Sequence, residues 1–319
     1  MNGAPLIVLK ALRKMYQKIQ KNTKPELTEE FAQYRGQEAS DIIKNLLLAN
    51  APAMIARFGS NELNCITNYH HVTNDKGKYL SYIRGDVGAF WWDKRMMQYM
   101  STGAGFFPAT EKNMERFATM MLQDMQQVDV LGSWLQQEAL FKQQLAKAVK
   151  VSLKDLEPYY HNDPWSTALA GKKVLVIHPF TDSIKQQYGK RELLFSNKVL
   201  PEFELKTIKA VQTAADNREG FSDWFEALEY MQDKIISQEF DIAIIGCGAY
   251  GFPLAAFVKR LGKKAVHLGG GTQILFGIKG KRWEEQNKYI SSLMNEHWIR
   301  PSPQERIQHL AKVEDGCYW

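Results

Sequence analysis

The hydrophobic positions of this chain change their period near residue 172. Residues 173–177 (KVLVI) form a continuous apolar run ending at His178-Pro179, the pattern of a strand covered on both faces. Asp182 or Ser183 then caps a helix running toward Phe195, and residues 203–211 return to strand character. Trp224, Leu228, Met231 and Ile235 recur at helical spacing before Asp241 opens an apolar run over 242–245. That run meets Gly246-Cys247-Gly248-Ala249-Tyr250-Gly251. A helical segment and a second apolar run follow, ending at Gly269-Gly270-Gly271-Thr272. Alternating strands and helices predict an α/β fold, a Rossmann-like parallel sheet flanked by helices. Ligands of such sheets bind outside the carboxyl ends of the strands. His178 and both glycine turns therefore belong on one rim.

The N-terminal half is helix-rich. Leu6, Leu9, Leu12, Tyr16 and Ile19 recur at helical spacing among basic residues, and Pro25 sits in a polar linker. Residues 40–50 carry Ile42, Ile43, Leu46 and Leu47 on one helical face. Residues 53–58 form a short apolar strand broken at Gly59, where Ser60 caps a helix beginning near Glu62. Residues 80–150, rich in Met, Trp, Phe and Gln, are expected to be mostly helical. The chain thus divides into a basic amphipathic helix and linker over 1–25 and one α/β domain over 26–319. Within that domain lie a helical insertion, about 80–165, and a Rossmann-like core, about 170–285.

Charge changes the picture at one end only. The net charge is +6, and residues 1–25 hold Lys10, Arg13, Lys14, Lys18, Lys21 and Lys24 without any acid. The remainder balances 35 basic against 35 acidic residues, which argues against a nucleic-acid-binding body. The basic helix either lies on an anionic membrane surface or packs on its own domain. Three scattered cysteines, Cys65, Cys247 and Cys317, form neither a disulfide framework nor a zinc motif. With no apparent signal or spanning segment, a cytoplasmic protein is expected, peripheral on the membrane if the helix binds it.

The two glycine turns carry the clearest chemistry. Glycine lets the backbone approach a ligand, and a helix N-terminus offers N–H groups to an anion. A dinucleotide site wants an acid at the end of the second strand, yet residues 265–269 read AVHLG. Gly246, Gly248, Tyr250, Gly251, Gly269, Gly270 and Thr272 therefore suit a nucleoside diphosphate or sugar nucleotide better than NAD. Arg57, Ser60, Asn61 and Glu62 stand at a strand end, with Arg57 as an anion fork and Glu62 as base, metal ligand or sugar partner. His178 contacts phosphate or moves a proton, or is structural. Lys279 and Arg282, interleaved with glycine, can neutralise a diphosphate. The pair His70-His71 reads as structural, and Cys247 as packing.

Residues 57–62 (RFGSNE) resemble the R-[FY]-G-D-G-E segment of the GT-D-type glycosyltransferases, first described as a domain of unknown function in bacterial glycosylation loci. The unit from Ile244 to Gly271, with HPF at 178–180, LGGGTQILFGIKGKRW and the terminal GCYW, is similar to proteins of bacterial capsule and surface-polysaccharide clusters. The resemblance implies transfer of a sugar from a nucleotide-sugar donor to a glycan or lipid-linked acceptor, with a divalent metal, Mn or Mg. By position the family's Asp falls on Ser60 and its Gly on Asn61, leaving Glu62 as the one carboxylate for a metal. Arg57, Lys279 or Arg282 would then carry the diphosphate charge. The alternatives are a non-catalytic nucleotide-binding or scaffold protein of the same pathway, and an NAD-dependent oxidoreductase.

Overall fold

Short runs of small and β-branched residues make the strands of the computed structural model, which describes residues 4–19, 32–214, 217–306, 316, 318 and 319. The expected linker around Pro25 and Cys317 lie outside the described residues. The strands are Ala53–Ala56 (β1), Val130–Ser133 (β2), Val149–Ser152 (β3), Lys173–His178 (β4), Glu204–Lys209 (β5), Ile242–Ile245 (β6) and Lys264–His267 (β7). They form one sheet in the order β3-β2-β1-β7-β6-β4-β5, and every pairing is parallel. Successive side chains enter two separate cores, as the pleat demands. Val174 and Val176 join Ile55 and Ile244 on one face, while Leu175 and Ile177 join Met54 and Ile245 on the other.

The helices are Ala4–Ile19 (α1), Gly36–Leu48 (α2), Ser60–Asn74 (α3), Tyr79–Arg84 (α4), Lys94–Thr102 (α5) and Glu111–Asp124 (α6) in the N-terminal half. Thr181–Tyr188 (α7), Trp224–Ile236 (α8), Gly251–Arg260 (α9), Gly271–Leu275 (α10), Lys281–Gln286 (α11) and Lys288–Leu293 (α12) follow. Ile66, Met100, Met121, Trp224 and Leu254 bring α3, α5, α6, α8 and α9 onto one face. Ile43, Ile184, Ile274, Trp283 and Ile290 bring α2, α7, α10, α11 and α12 onto the other. Helix α1 packs through Leu6 and Leu9 against Tyr82, Phe90 and Trp91 in a third cluster, at α4 and the loop after it. No helix among the described residues is long and apolar enough to cross a membrane.

Register sets the positions of the strand ends. Ile177 pairs with Ile245, Ile245 with His267, and Ile55 with Val266. One residue past Ile177, Ile245 and His267, and two past Ile55, His178, Gly246, Leu268 and Arg57 therefore emerge level from four neighbouring parallel strands. That is the crevice where ligands of open α/β sheets bind.

Three local expectations are corrected. The stretch expected to be mostly helical supplies β2 and β3, so the sheet extends well beyond a core starting near residue 170. Each mixes two apolar residues with glycine, serine or lysine (VLGS and VKVS), so neither stands out as an apolar run among helical neighbours. Ser60 is the first residue of α3, not its cap; Gly59 holds that place with no side-chain bond. Helix α7 stops at Tyr188, well short of Phe195, and neither Asp182 nor Ser183 caps it.

Its N-terminus is instead capped by the buried carboxylate of Glu305, more than a hundred residues away. Glu305 accepts from the backbone N–H of Asp182 at 2.7 Å and of Ser183 at 3.3 Å, and from the Ser183 hydroxyl. A carboxylate here satisfies two orphan donors and complements the helix dipole. Glu305→Gln should lower stability by about 1–3 kcal/mol, because the amide sets an N–H group against other donors. A urea midpoint equal to that of the parent protein would show that the cap contributes nothing.

Candidate functional site

A cavity of about 230 Å³ opens along the row of strand ends. Arg57, the first residue after β1, reaches over the indole of Trp134, with its guanidinium carbon 5.0 Å from the ring centroid. Trp134 is itself fixed by its N–H donating to the Phe58 carbonyl at 3.0 Å. Burial pulls the Arg57 pKa below its ordinary value; Glu62, Tyr318 and Glu157 oppose that shift, and Arg282 adds to it. A guanidinium stays charged through such a shift, so the cavity wall carries a fixed cation.

Ser60, Asn61 and Glu62 occupy the first turn of α3 and line the same cavity. Glu62 folds back over Gly59: a Cβ on that glycine would lie 1.9 Å from the Glu62 Oε2 atom. A carboxylate in a first helical turn is favoured by the dipole. It is the one acidic side chain among the cavity's described lining residues. Among the described residues, no three His, Cys, Asp or Glu side chains converge as a metal cluster. One carboxylate beside neutral Ser60 and Asn61 is a poor donor set for Mg or Mn.

The glycines of the two turns do different work. A Cβ on Gly246 would sit 2.6 Å from the Gly269 carbonyl oxygen, and one on Gly251 would sit 2.2 Å from His267 Nε2. Both are packing requirements, of turn on turn and of helix on strand. Gly248 and Gly269 have φ of +56° and +59°, the left-handed region that glycine tolerates. Gly248, Gly269 and Gly270 line the cavity.

His178 lines the cavity but is buried, and its Nδ1 accepts the backbone N–H of Phe180 at 3.0 Å. Burial pushes its pKa down to about 3, so the ring is neutral with its proton on Nε2. It offers a hydrogen-bond donor and is poorly suited to shuttling a proton at neutral pH. His267, at the end of β7, is likewise driven down to about 3 by burial and by Arg57. Burial pushes the Cys247 thiol up, which makes it unreactive. Tyr250 is anchored by its hydroxyl on Thr213 at 2.8 Å and by stacking on Trp224 at 4.7 Å.

Of the residues expected at the site, Gly251, Thr272 and Lys279 do not reach the cavity, whereas Arg282 does. Thr272 is buried behind the wall with its hydroxyl unpartnered. Gln187 and Tyr188, at the end of α7, brace carbonyls away from the cavity: Gln187 donates to Gly277 at 3.0 Å and Tyr188 to Phe203 at 2.7 Å. Sequence reasoning missed Trp134, Thr213, Gln273 and the C-terminal Tyr318 and Trp319, which all line the cavity. The Gln273 amide N–H groups are spent on the carbonyls of Lys279 and Tyr318, at 2.9 and 2.8 Å. Its oxygen and the Trp319 indole nitrogen remain buried without partners among the described residues. Such orphan groups in a cavity wall are what a bound ligand would satisfy.

No family model, curated protein or solved structure matches this chain.

Behind Arg57, Glu157 and the Tyr159 hydroxyl converge on Gly271, where a Cβ would lie 3.3 Å from each. Burial pushes the Glu157 carboxyl up to about 7, tempered by Arg57 and Arg282. The folded state therefore holds this proton more tightly than the unfolded chain, whose value is near 4.5. Its contribution to stability is complete below pH 4.5 and lost as pH rises through about 7. The side chain is not fully sealed, which limits the effect to about 1–3 kcal/mol. Glu157→Gln should gain stability over the parent by that amount between pH 4.5 and pH 8 in urea titrations. A constant difference across the range would mean that Glu157 titrates normally.

Proposed function

We propose that this chain is a glycosyltransferase of the GT-D type its sequence resembles, moving a sugar from a nucleotide-sugar donor. The observation that carries the reading is the charge and shape of the cavity. Arg57 and Arg282 line it together with the open glycines at the ends of β6 and β7, against a single acidic side chain. That arrangement suits a diphosphate. The donor's phosphates would lie along Gly246 to Gly248 and Gly269 to Gly270, where backbone can approach closely. Arg57 and Arg282 would stabilise the charge that builds on the leaving nucleoside diphosphate as the sugar's anomeric carbon exchanges its bond to the phosphate oxygen for one to the acceptor's oxygen. Glu62 would hold a sugar hydroxyl or take the acceptor's proton, and neutral His178 would donate a hydrogen bond. Lys279, outside the cavity, has no part in this reading. A dinucleotide is disfavoured because β7 ends at His267, followed by Leu268, without an acid for the ribose.

A second reading, a non-catalytic nucleotide-binding protein of the same pathway, draws on Ser60, which stands where the resembled family has Asp. Thermal shifts with nucleotide sugars, nucleoside diphosphates and NAD(P), each with and without Mn²⁺, separate the readings. A nucleotide sugar should raise the melting temperature, and Arg282→Ala should weaken its binding about 10- to 100-fold. Glu62→Gln should abolish transfer while leaving that binding in place. Binding without turnover in the parent protein supports the second reading. A response to NAD(P) alone overturns both.

The acceptor in this proposal is a glycan or lipid-linked glycan of bacterial surface-polysaccharide synthesis, and α1 supplies a reason for the chain to meet a membrane. Helix α1 turns Leu6, Leu9 and Tyr16 toward the protein or partly so. Val8, Leu12, Met15 and Ile19 form a second, exposed apolar stripe beside Lys10, Lys14 and Lys18. An exposed apolar stripe next to a basic one fits an anionic lipid surface. Sedimentation with phosphatidylglycerol vesicles should fall sharply for Val8→Glu/Met15→Glu, with the melting temperature unchanged. Undiminished sedimentation would remove α1 from membrane contact.

A further inference from the structure

A second cavity, of about 330 Å³, runs between α3 and α5. Its long wall is a polar stripe on one helix. Asn61, Asn64, Asn68 and His71 recur at three- and four-residue spacing along α3, with Thr67 beside them. At the rise of an α-helix this stripe is about 15 Å long. Most amphipathic helices bury one apolar face and expose a charged one. Helix α3 buries Leu63 and Ile66 and lines the groove with amides.

We infer that this groove binds the glycan acceptor, its hydroxyls against Asn61, Asn64, Thr67 and His71 along the stripe that Asn68 anchors, and its reacting end at Asn61. The inference rests on the glycosyltransferase reading above. The groove's chemistry is that of a neutral polyol site. It carries no lysine, and its one arginine, Arg95, is matched by Asp93 among the lining residues. An anion or a nucleic acid would require a positive wall. The Thr67 hydroxyl is buried and has no hydrogen-bond partner among the described residues, a vacancy a sugar hydroxyl can fill.

The wall is pre-organised. Asn68 is wholly engaged: its amide donates to the carbonyls of Ala89 and Trp91 at 2.8 and 3.0 Å, and its oxygen accepts from the Asp93 N–H at 2.9 Å. His71 is fixed through Nδ1 to Asp75 at 2.5 Å, which leaves Nε2 as the nitrogen for a ligand. Across the groove Tyr99 is 62% exposed, a flat apolar ring of the kind that packs on the C–H face of a sugar. Asn61 lines both the groove and the main cavity, so a chain lying in the groove ends where the donor's sugar would be presented.

The test is saturation-transfer NMR on the full chain with methyl glycosides of glucose, galactose, mannose and N-acetylglucosamine and their β-linked disaccharides. At least one probe should bind, with Asn64→Ala and Tyr99→Ala each weakening it about tenfold. Both positions are exposed, and an unchanged melting temperature confirms that the variants fold. Arg282→Ala, which alters only the main cavity, should leave the glycan affinity intact. No binding by any probe overturns the inference. So does binding that ignores the groove substitutions or disappears in Arg282→Ala. Glycan binding in the groove without any thermal response to nucleotide sugars would sustain the groove assignment and sink the donor reading instead. The reverse result would sink the groove alone.

Discussion

Placing a permanent guanidinium at the end of a central strand creates a charge that no proton loss can relieve. Its surroundings must compensate for the water it has lost. Arg57 meets this demand with a ring from the β2 side, Trp134, and with negative or polar groups from separate parts of the chain: Glu62, Glu157 and Tyr318. The compensation is incomplete. Glu157 is itself pushed up to about 7, so near neutrality it supplies only part of a charge, and Arg282 adds a second cation. A wall left with surplus positive charge favours an anionic ligand, and perturbed titrating groups of this kind concentrate at functional sites.

The same demand explains why α3 matters more than its length suggests. It begins three residues after Arg57, delivers Glu62 to the cation in its first turn, and then carries the amide stripe away from the cavity. One rigid element therefore couples the charged pocket to the neutral groove, with Asn61 common to both. Sites on helices are held more precisely than sites on loops. A donor and an acceptor bound on the two sides of Asn61 would keep their separation without a moving part.

Much of the sheet's carboxyl half was legible because each signal was local. KVLVI, the 242–245 run and the Trp224 to Ile235 stripe all lie where their periods predict. Strands β2 and β3 were not legible, since VLGS and VKVS each hold only two apolar residues among glycine, serine or lysine, unlike the continuous 242–245 run. Their partners across the sheet, rather than their own sequence, make them strands. Glu305 as a cap, and Gln273 or Trp319 as walls, were also hidden, because each acts on residues or a cavity assembled from distant parts of the chain. Lys279 misled for the opposite reason. Its charge and glycine neighbours looked like an anion site, but the backbone on either side is engaged, with its N–H on Ile299 and its carbonyl on Gln273.

The glycines show how far a motif can be separated from its purpose. All three glycines of 246–251 match a phosphate-binding fingerprint, yet two have sufficient reasons that involve no ligand. Gly246 is needed because the β6 turn abuts the Gly269 carbonyl, and Gly251 because α9 lies directly on His267. Gly248 is different: a Cβ there would meet nothing within 4 Å, so only its φ of +56° demands glycine. Gly269 is similar, with φ of +59° and the Arg57 side chain as its nearest neighbour at 3.6 Å. Packing accounts for the first pair. The second pair holds bare backbone open on the cavity, Gly269 beside the half-buried Arg57, where a phosphate would approach most closely.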